Sequence, residues 1–291
     1  MPRPAGPPTV RLRRLAAELS ALRADAQLTR EQVEEQTGVN QGTLWRIEKG
    51  QAKPHNGTLE TLFDLYGVTE SRRTELIELT RGAKQPGWLA QFKDALLKEA
   101  IPEVYAAYIG FETEAKTMNT YESSFVPGLL QTEEYARAVM IDGWPMEADA
   151  VERRLETRMQ RQIVLSQKRD GRDPLELWAV LDEAVLRREV GSRAVMRAQL
   201  GRLLEMGERP NITLQVIPFN RGAHPGMSGA FTCFKFGSLA PNIVHTESLA
   251  GAFFLELEAD VERFGLAFDH VRAMALSPRD SGTFLAMLMT E

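Results

Sequence analysis

The sequence predicts an α+β protein of two domains, in which an all-α domain of five short helices precedes a larger α+β domain with a sheet of about four or five strands. Its 291 residues are enough for two domains of ordinary size. Apolar residues recur at helical spacing up to about residue 80, whereas short apolar runs typical of strands begin near residue 175. The predicted domains are residues 1–84 and 85–291, with connecting helices within 85–114.

The composition is typical of a folded protein without disulfides. Apolar residues make up 43% of the chain and charged residues 26%, which argues against disorder. Cys233 is the single cysteine, so an intrachain disulfide and a multi-cysteine metal site are excluded. No apolar run approaches the roughly 20 residues of a membrane span, and Met1–Pro8 does not resemble a secretory signal. We expect a cytoplasmic protein with no membrane partner, metal or cofactor.

The charge is distributed unevenly along the chain. Residues 1–84 hold 13 basic and 11 acidic side chains, whereas the remainder holds 22 and 29. A cationic N-terminal region followed by an acidic remainder is typical of a chain whose N-terminal domain binds phosphate groups. A basic arm that is merely solvated is the alternative.

Two short helices joined by a tight turn are predicted between Thr29 and Gly50. Thr29 is suited to cap the first helix, and Gly38 to end it in a left-handed conformation. Asn40 is suited to cap the second helix, which Gly50 ends. Apolar spacing predicts the other three helices, over about residues 10–24, 59–66 and 76–79, with a loop at His55–Gly57.

This arrangement is typical of a helix-turn-helix, whose second helix presents polar side chains to base edges in the major groove. Residues 9–80 resemble the Xre/Cro-type helix-turn-helix family. The positions that carry the resemblance are Val33, Gly38, Val39, Asn40, Leu44, Ile47, Glu48, Gly50 and Pro54. The resemblance implies binding to double-stranded DNA.

Four side chains are predicted to contact DNA. Gln41 can pair with adenine and Arg46 with guanine, whereas Thr43 and Arg30 are better suited to phosphate. Simple solvation is the alternative for each of them. Because one recognition helix reads only a few base pairs, we expect a homodimer on two half-sites.

Two positions depart from the family pattern. Glu34 stands where a small residue is usual, and Thr37 stands where an apolar residue is usual. A buried carboxylate without a partner is unfavourable, so Glu34 must face outward or find a partner. Trp45 is expected either to pack half-buried or to make an apolar contact with DNA or with the second domain.

The second domain resembles the C-terminal domain of antitoxin-like transcriptional regulators of actinobacteria, over roughly residues 86–291. The stretches that carry the resemblance are Tyr121–Arg137, Trp178–Arg188, Asn211–Phe219, Gly222–Met227 and Leu266–Pro278. The resemblance implies a cytoplasmic regulator that is often paired with a small partner protein encoded nearby, and it supplies no ligand.

Strands of this domain are predicted from short apolar or alternating runs, at Leu175–Leu181, 212–218, Phe231–Phe236, Asn242–Thr246 and Phe253–Leu257. Helices are predicted over about 132–142, 147–169, 192–207 and 258–290. The basic run within 151–172 is interpreted as a solvated helix face or as a contact with DNA or an acidic partner.

The glycine-rich loop after the strand at 212–218 either lines the mouth of a pocket or only turns the chain. A pocket here would hold a small-molecule effector, with His224 as its polar anchor. Packing in the core is the alternative for the apolar members of this set. The candidate pocket residues are Trp178, Phe219, His224, Met227 and Phe231.

Catalytic motifs of the common enzyme classes do not occur, since the chain contains no H-E-x-x-H, no G-x-S-x-G and no paired cysteines. A triad of Ser228, His245 and Asp269 can be composed only from common residues without a motif. We therefore expect no enzyme. The sequence favours a dimeric, sequence-specific DNA-binding regulator, and the alternative is an antitoxin-like module that binds a small partner protein and has weak or auxiliary DNA binding.

Overall fold

The computed structural model describes residues 10–80, 103–143, 146–168, 172–237 and 240–291. They belong to two compact units, and the second contains nearly all described residues from Ala115 onward. The first contains residues 10–80 together with Glu103–Glu114. The predicted boundary at residue 84, the N-terminal arm before residue 10 and the part of the predicted connecting helices before residue 103 lie outside the described residues.

Five helices form the unit before residue 81, as the sequence predicts. They are α1 (Val10–Asp25), α2 (Arg30–Thr37), α3 (Gln41–Glu48), α4 (Asn56–Leu65) and α5 (Glu70–Thr80), and α6 (Glu103–Glu114) belongs to the same unit. Their core contains Leu19, Val33 and Leu44, each fully buried, and burial of such a side chain contributes about 1.5–3 kcal/mol. The loop predicted at residues 55–57 is too long, because Asn56 and Gly57 form the first turn of α4.

The predicted caps of α2 and α3 are confirmed. The Thr29 hydroxyl accepts a bond from the backbone N–H of Gln32, whose side-chain oxygen in turn accepts from the N–H of Thr29 at 2.8 Å. Gly38 ends α2 with φ 73°, a left-handed backbone conformation that residues other than glycine rarely adopt. The Asn40 side chain accepts from the N–H of Gly42 at 3.0 Å and so caps α3. These bonds set the sharp turn between the two helices.

The second unit is built on a six-stranded sheet, which confirms the α+β class with a larger sheet than predicted. The order is β3-β2-β1-β4-β5-β6, and β1, β2 and β3 are parallel while the others pair antiparallel. The strands are β1 (Thr117–Glu122), β2 (Glu176–Asp182), β3 (Ile212–Ile217), β4 (Phe231–Lys235), β5 (Ile243–Ser248) and β6 (Gly251–Leu255).

The strand that sequence analysis missed is β1, at the middle of the sheet. Its sequence, TMNTYE, contains no apolar run, although its four inner residues are buried. Hydrogen-bonding partners on β2 and β4 stabilise it, so tertiary pairing overrides a weak local signal.

The described residues of this unit also form a set of helices. They are α7 (Glu133–Gly143), α8 (Ala148–Arg161), α9 (Glu183–Arg187), α10 (Arg193–Gly207), α11 (Glu258–Met274) and α12 (Pro278–Leu288). One face of the sheet packs against α11 through Tyr121, Val180 and Phe268. The helix predicted over 147–169 ends at Arg161, because the chain tightens into a 3₁₀ turn that buries Val164 and Leu165. No helix in the described ranges combines the length and apolar character needed to cross a bilayer.

The end of the basic run on α8 packs against the turn that precedes α7 and does not form a solvated face. Arg161 is buried, and Arg158 donates to the side-chain oxygen of Gln131 at 2.9 Å. Gly128 leaves room for this packing, since a Cβ there would lie 2.9 Å from a guanidinium nitrogen of Arg161. The interpretation as a solvated face is wrong for these two arginines because polar groups of the turn draw them inward.

Candidate functional site

Helix α3 separates its side chains into a buried face and an exposed face. Leu44 and Ile47 are buried in the helical core, while Gln41 and Arg46 are exposed. Trp45 is also exposed, at 42%. The helix therefore presents a polar surface, as predicted, whereas Trp45 is exposed rather than half-buried, and its contact with DNA or the second domain stays a prediction.

Arg46 lies back along the first turn of α3. Its guanidinium donates to the carbonyl of Gly42 at 3.4 Å and to the Thr43 hydroxyl at 3.3 Å. Both bonds are long and solvent-exposed, so an acceptor on a base edge can replace them at little loss. The structure brings Arg46 and Thr43 together, and Gln41 begins the same helix.

Arg30 occupies a different environment, in an ion-paired cluster around Glu48. The Glu48 side chain is only 1% exposed and pairs with Arg30 at 2.7 Å and with Arg23 at 2.6 Å. The bond to Glu48 raises the pKa of Arg23 above its ordinary value. Sequence reasoning missed this cluster, and the signal that could have indicated it is the acidic residue beside the buried Ile47 at the end of α3. The predicted phosphate contact of Arg30 stays a prediction.

The two departures from the family pattern each have a bonding solution. Glu34 accepts from the side-chain amide of Asn40 at 2.8 Å and from the backbone N–H of Gln41 at 3.2 Å. Its charge therefore lies at the N-terminal end of α3, where the helix dipole stabilises an anion. The Thr37 hydroxyl donates to the carbonyl of Val33 at 2.6 Å and accepts from the N–H of Val39.

The five candidate pocket residues of the second unit do not share one environment. Phe231 is buried, and Trp178 donates to the side-chain oxygen of Gln215 at 2.7 Å. Phe219 and Met227, in contrast, are 59% and 69% exposed. The set therefore divides between core and surface, and its role in binding an effector stays a prediction.

His224 is turned inward beneath the glycine-rich loop. Its side chain is 3% exposed, with Nε2 3.6 Å from a carboxylate oxygen of Asp182, while its buried Nδ1 has no hydrogen-bond partner. The ring meets Tyr121 edge-on at 5.5 Å between centroids. Asp182 and Tyr121, which sequence reasoning did not single out, lie at the ends of β2 and β1. In this structure the His224 ring packs beneath the loop against Tyr121 and near Asp182.

The titratable groups within the second unit do not assemble the triad composed from the sequence. Asp269 pairs with Arg272 at 3.0 Å on α11, which packs on the sheet face containing Val244. Adjacent residues of a strand point to opposite faces, so His245 belongs to the other face. Burial lowers the pKa of His245 to about 4 and raises the pKa of Cys233 to about 12, which leaves the imidazole neutral and the thiol protonated.

A metal site is not formed by the part of the chain that the structure describes, in which no three His, Cys, Asp or Glu side chains group to hold an ion. Helix α3 instead carries guanidinium and side-chain amide groups. They suit hydrogen bonding to base edges and phosphates.

Comparison with known proteins gives a match for each unit. Residues 14–76 match a family model described as a helix-turn-helix domain. Residues 105–287 match the model of DUF5753, a domain of unknown function, which spans more than half of the chain. No curated protein matches the chain, and no solved structure does. The chain therefore belongs to the DUF5753 family and contains a helix-turn-helix domain ahead of that domain.

Proposed function

We propose that the protein is a sequence-specific, DNA-binding transcriptional regulator of the Xre type that acts as a homodimer in the cytoplasm. The observation that carries the proposal is the division of α3, which buries Leu44 and Ile47 and exposes Gln41 and Arg46. In this proposal the second domain dimerises and senses an effector or partner, catalyses no reaction and needs no cofactor.

The proposed interface places the N-terminal half of α3 in the major groove. Gln41 and Arg46 are the base readers, and Thr43 contacts the backbone. Arg30 contributes positive charge towards a phosphate. Its side chain is held by Glu48, with a guanidinium nitrogen 2.7 Å from a carboxylate oxygen. A two-fold dimer doubles this contact across adjacent half-sites.

The decisive experiment is a gel-shift titration of the full chain, on operator DNA selected from upstream fragments and on random DNA. Arg46→Ala should weaken specific binding by about 1–3 kcal/mol and affect random DNA less. Arg30→Ala should weaken binding to all sequences and lower the salt dependence. Arg202→Ala is the matched control, because Arg202 pairs with Glu205 in the second unit.

Equal losses on both DNAs would remove Arg46 as a base reader. The absence of any salt-sensitive shift below micromolar protein would contradict the proposal as a whole. Size measurement of the free protein tests the homodimer separately.

A second candidate function is an antitoxin-like module that binds a small partner protein encoded nearby. The position of Glu34 favours it, since a carboxylate at the start of α3 opposes a nearby phosphate. Co-purification with the products of neighbouring genes distinguishes the two functions. A stoichiometric partner together with weak DNA binding would support this candidate.

The proposed effector response is tested at His224. His224→Ala removes a buried ring, so a loop anchor predicts lower stability with an unchanged response. A ligand anchor predicts that the response to effector is lost while DNA affinity is retained. Thermal-shift screening of cell extracts on wild type and variant separates these outcomes.

A further inference from the structure

A cleft of about 280 Å³ lies in the second unit between α9, the beginning of α10 and the end of α12. Its walls differ in chemistry. Leu186, Met196 and Leu200 are buried apolar side chains along the cleft, and arginines lie at its rim. All of its lining residues belong to the second unit, and none of them is a candidate pocket residue.

The rim arginines differ in how their charge is balanced. Arg187 pairs with Glu183 at 2.5 Å and with Glu291 at 2.8 Å. Arg193 and Arg197 line the same cleft, are exposed, and form no ion pair or hydrogen bond with other described side chains. Glu189, also on the rim, is the opposing charge. Arg193 and Arg197 are therefore the cationic groups of the lining that no described carboxylate pairs with.

The two unpaired arginines are placed to act together. They stand four residues apart on α10, so their side chains lie on one helix face, the face that also bears Met196 and Leu200. Arg193 is the first residue of this helix, where the dipole adds to the attraction for an anion. A planar guanidinium matches a carboxylate in a two-bond arrangement.

We propose that this cleft binds a small amphiphilic carboxylate, with its head group between Arg193 and Arg197 and its hydrocarbon chain against Leu186, Met196 and Leu200. At the roughly 30 Å³ that liquid water occupies per non-hydrogen atom, 280 Å³ accommodates about nine such atoms. An aliphatic acid of six to eight carbons has this size.

The test is calorimetric titration of the full chain with sodium octanoate, which does not depend on DNA binding. We expect saturable binding with a Kd below about 1 mM. Octan-1-ol, which lacks the charge, and acetate, which lacks the chain, should each bind at least about tenfold more weakly. The double variant Arg193→Gln and Arg197→Gln should lose at least about tenfold in octanoate affinity.

Arg202→Gln is the matched control, since Arg202 lies on the same helix, outside the cleft, and pairs with Glu205. Its octanoate affinity should equal that of wild type, and circular dichroism should show the same fold for every variant. No saturable octanoate binding, equal binding of octan-1-ol or acetate, or unchanged affinity in the double variant would overturn the proposal. A failure here leaves the DNA titration unaffected, so the two proposals can fail independently.

Discussion

Each of the two units contains a carboxylate with restricted access to water, Glu48 buried and Glu122 half-buried, and the two are stabilised in different ways. In the helical unit, Glu48 lies between Arg23 and Arg30, with guanidinium nitrogens 2.6 Å and 2.7 Å from its carboxylate oxygens. In the α+β unit, Glu122 accepts a bond from the Thr120 hydroxyl at 3.1 Å, and desolvation raises its pKa to about 8. One carboxylate is stabilised by two cations and the other by its proton. The stability of the two units should therefore respond differently to mutation and to pH.

The largest effect is expected for Glu48→Ala. The change leaves two guanidinium groups without their shared carboxylate, and breaking such a pair costs about 3–5 kcal/mol of unfolding free energy. Hydrogen exchange of the amides in α1 to α4 of the full chain measures the loss. Glu35→Ala, at an exposed position, is the control and should change little. A loss below about 1 kcal/mol would show that the cluster is not what stabilises this unit.

The next effect concerns pH and Glu122→Gln. The unfolded carboxyl ionises near its ordinary pKa of 4.5, whereas the folded carboxyl keeps its proton up to about 8. Between these values the folded state binds more protons, so wild-type stability falls as pH rises. The variant cannot ionise, and its advantage over wild type should grow by at most about 1.4 kcal/mol per pH unit.

Urea denaturation across this range measures the difference between Glu122→Gln and wild type. Glu134→Gln, at an exposed site, should show a difference that is independent of pH. A constant difference for Glu122→Gln as well would contradict the contrast between the two carboxylates.

A smaller effect is expected where the glycine-rich loop packs on the sheet. In Gly226→Ala the new Cβ would lie 2.5 Å from the ring of Tyr121, a fully buried side chain. We expect about 1–3 kcal/mol of destabilisation, read as a lower melting temperature by calorimetry. Gly265→Ala is the matched control, because no neighbouring atom lies within 4 Å and alanine favours helix by up to about 1 kcal/mol. If both variants behave alike, the loop is not fixed by contact with Tyr121.

The smallest effect is expected for Glu34→Gln. The two bonds from Asn40 and Gln41 use different carboxylate oxygens, so the amide retains an acceptor for one of them, and the change removes a negative charge at the start of α3. Under the proposed function, DNA affinity should rise by about 0.3–1 kcal/mol at low salt, and the gain should vanish at high salt. Glu208→Gln, an exposed site in the second unit, controls for net charge. A gain that persists in high salt would contradict an electrostatic origin.

The sequence by itself determined the features that depend on neighbouring residues. The caps at Thr29 and Asn40 and the left-handed Gly38 are local devices, so α2, α3 and the exposed position of Arg46 could be predicted from spacing alone. The short apolar or alternating patterns of β2 to β5 were equally readable, because they arise from residues close together along each strand.

Only the tertiary structure decided the features whose partners are distant along the chain. The strand β1 has a weak local pattern and depends on ladders with β2 and β4. The pairing of Arg30 with Glu48, 18 residues later, cannot be inferred from periodicity. His224 turns towards Asp182 rather than outward for the same reason, since side-chain contacts between distant segments are set by packing and hydrogen bonding after the elements form.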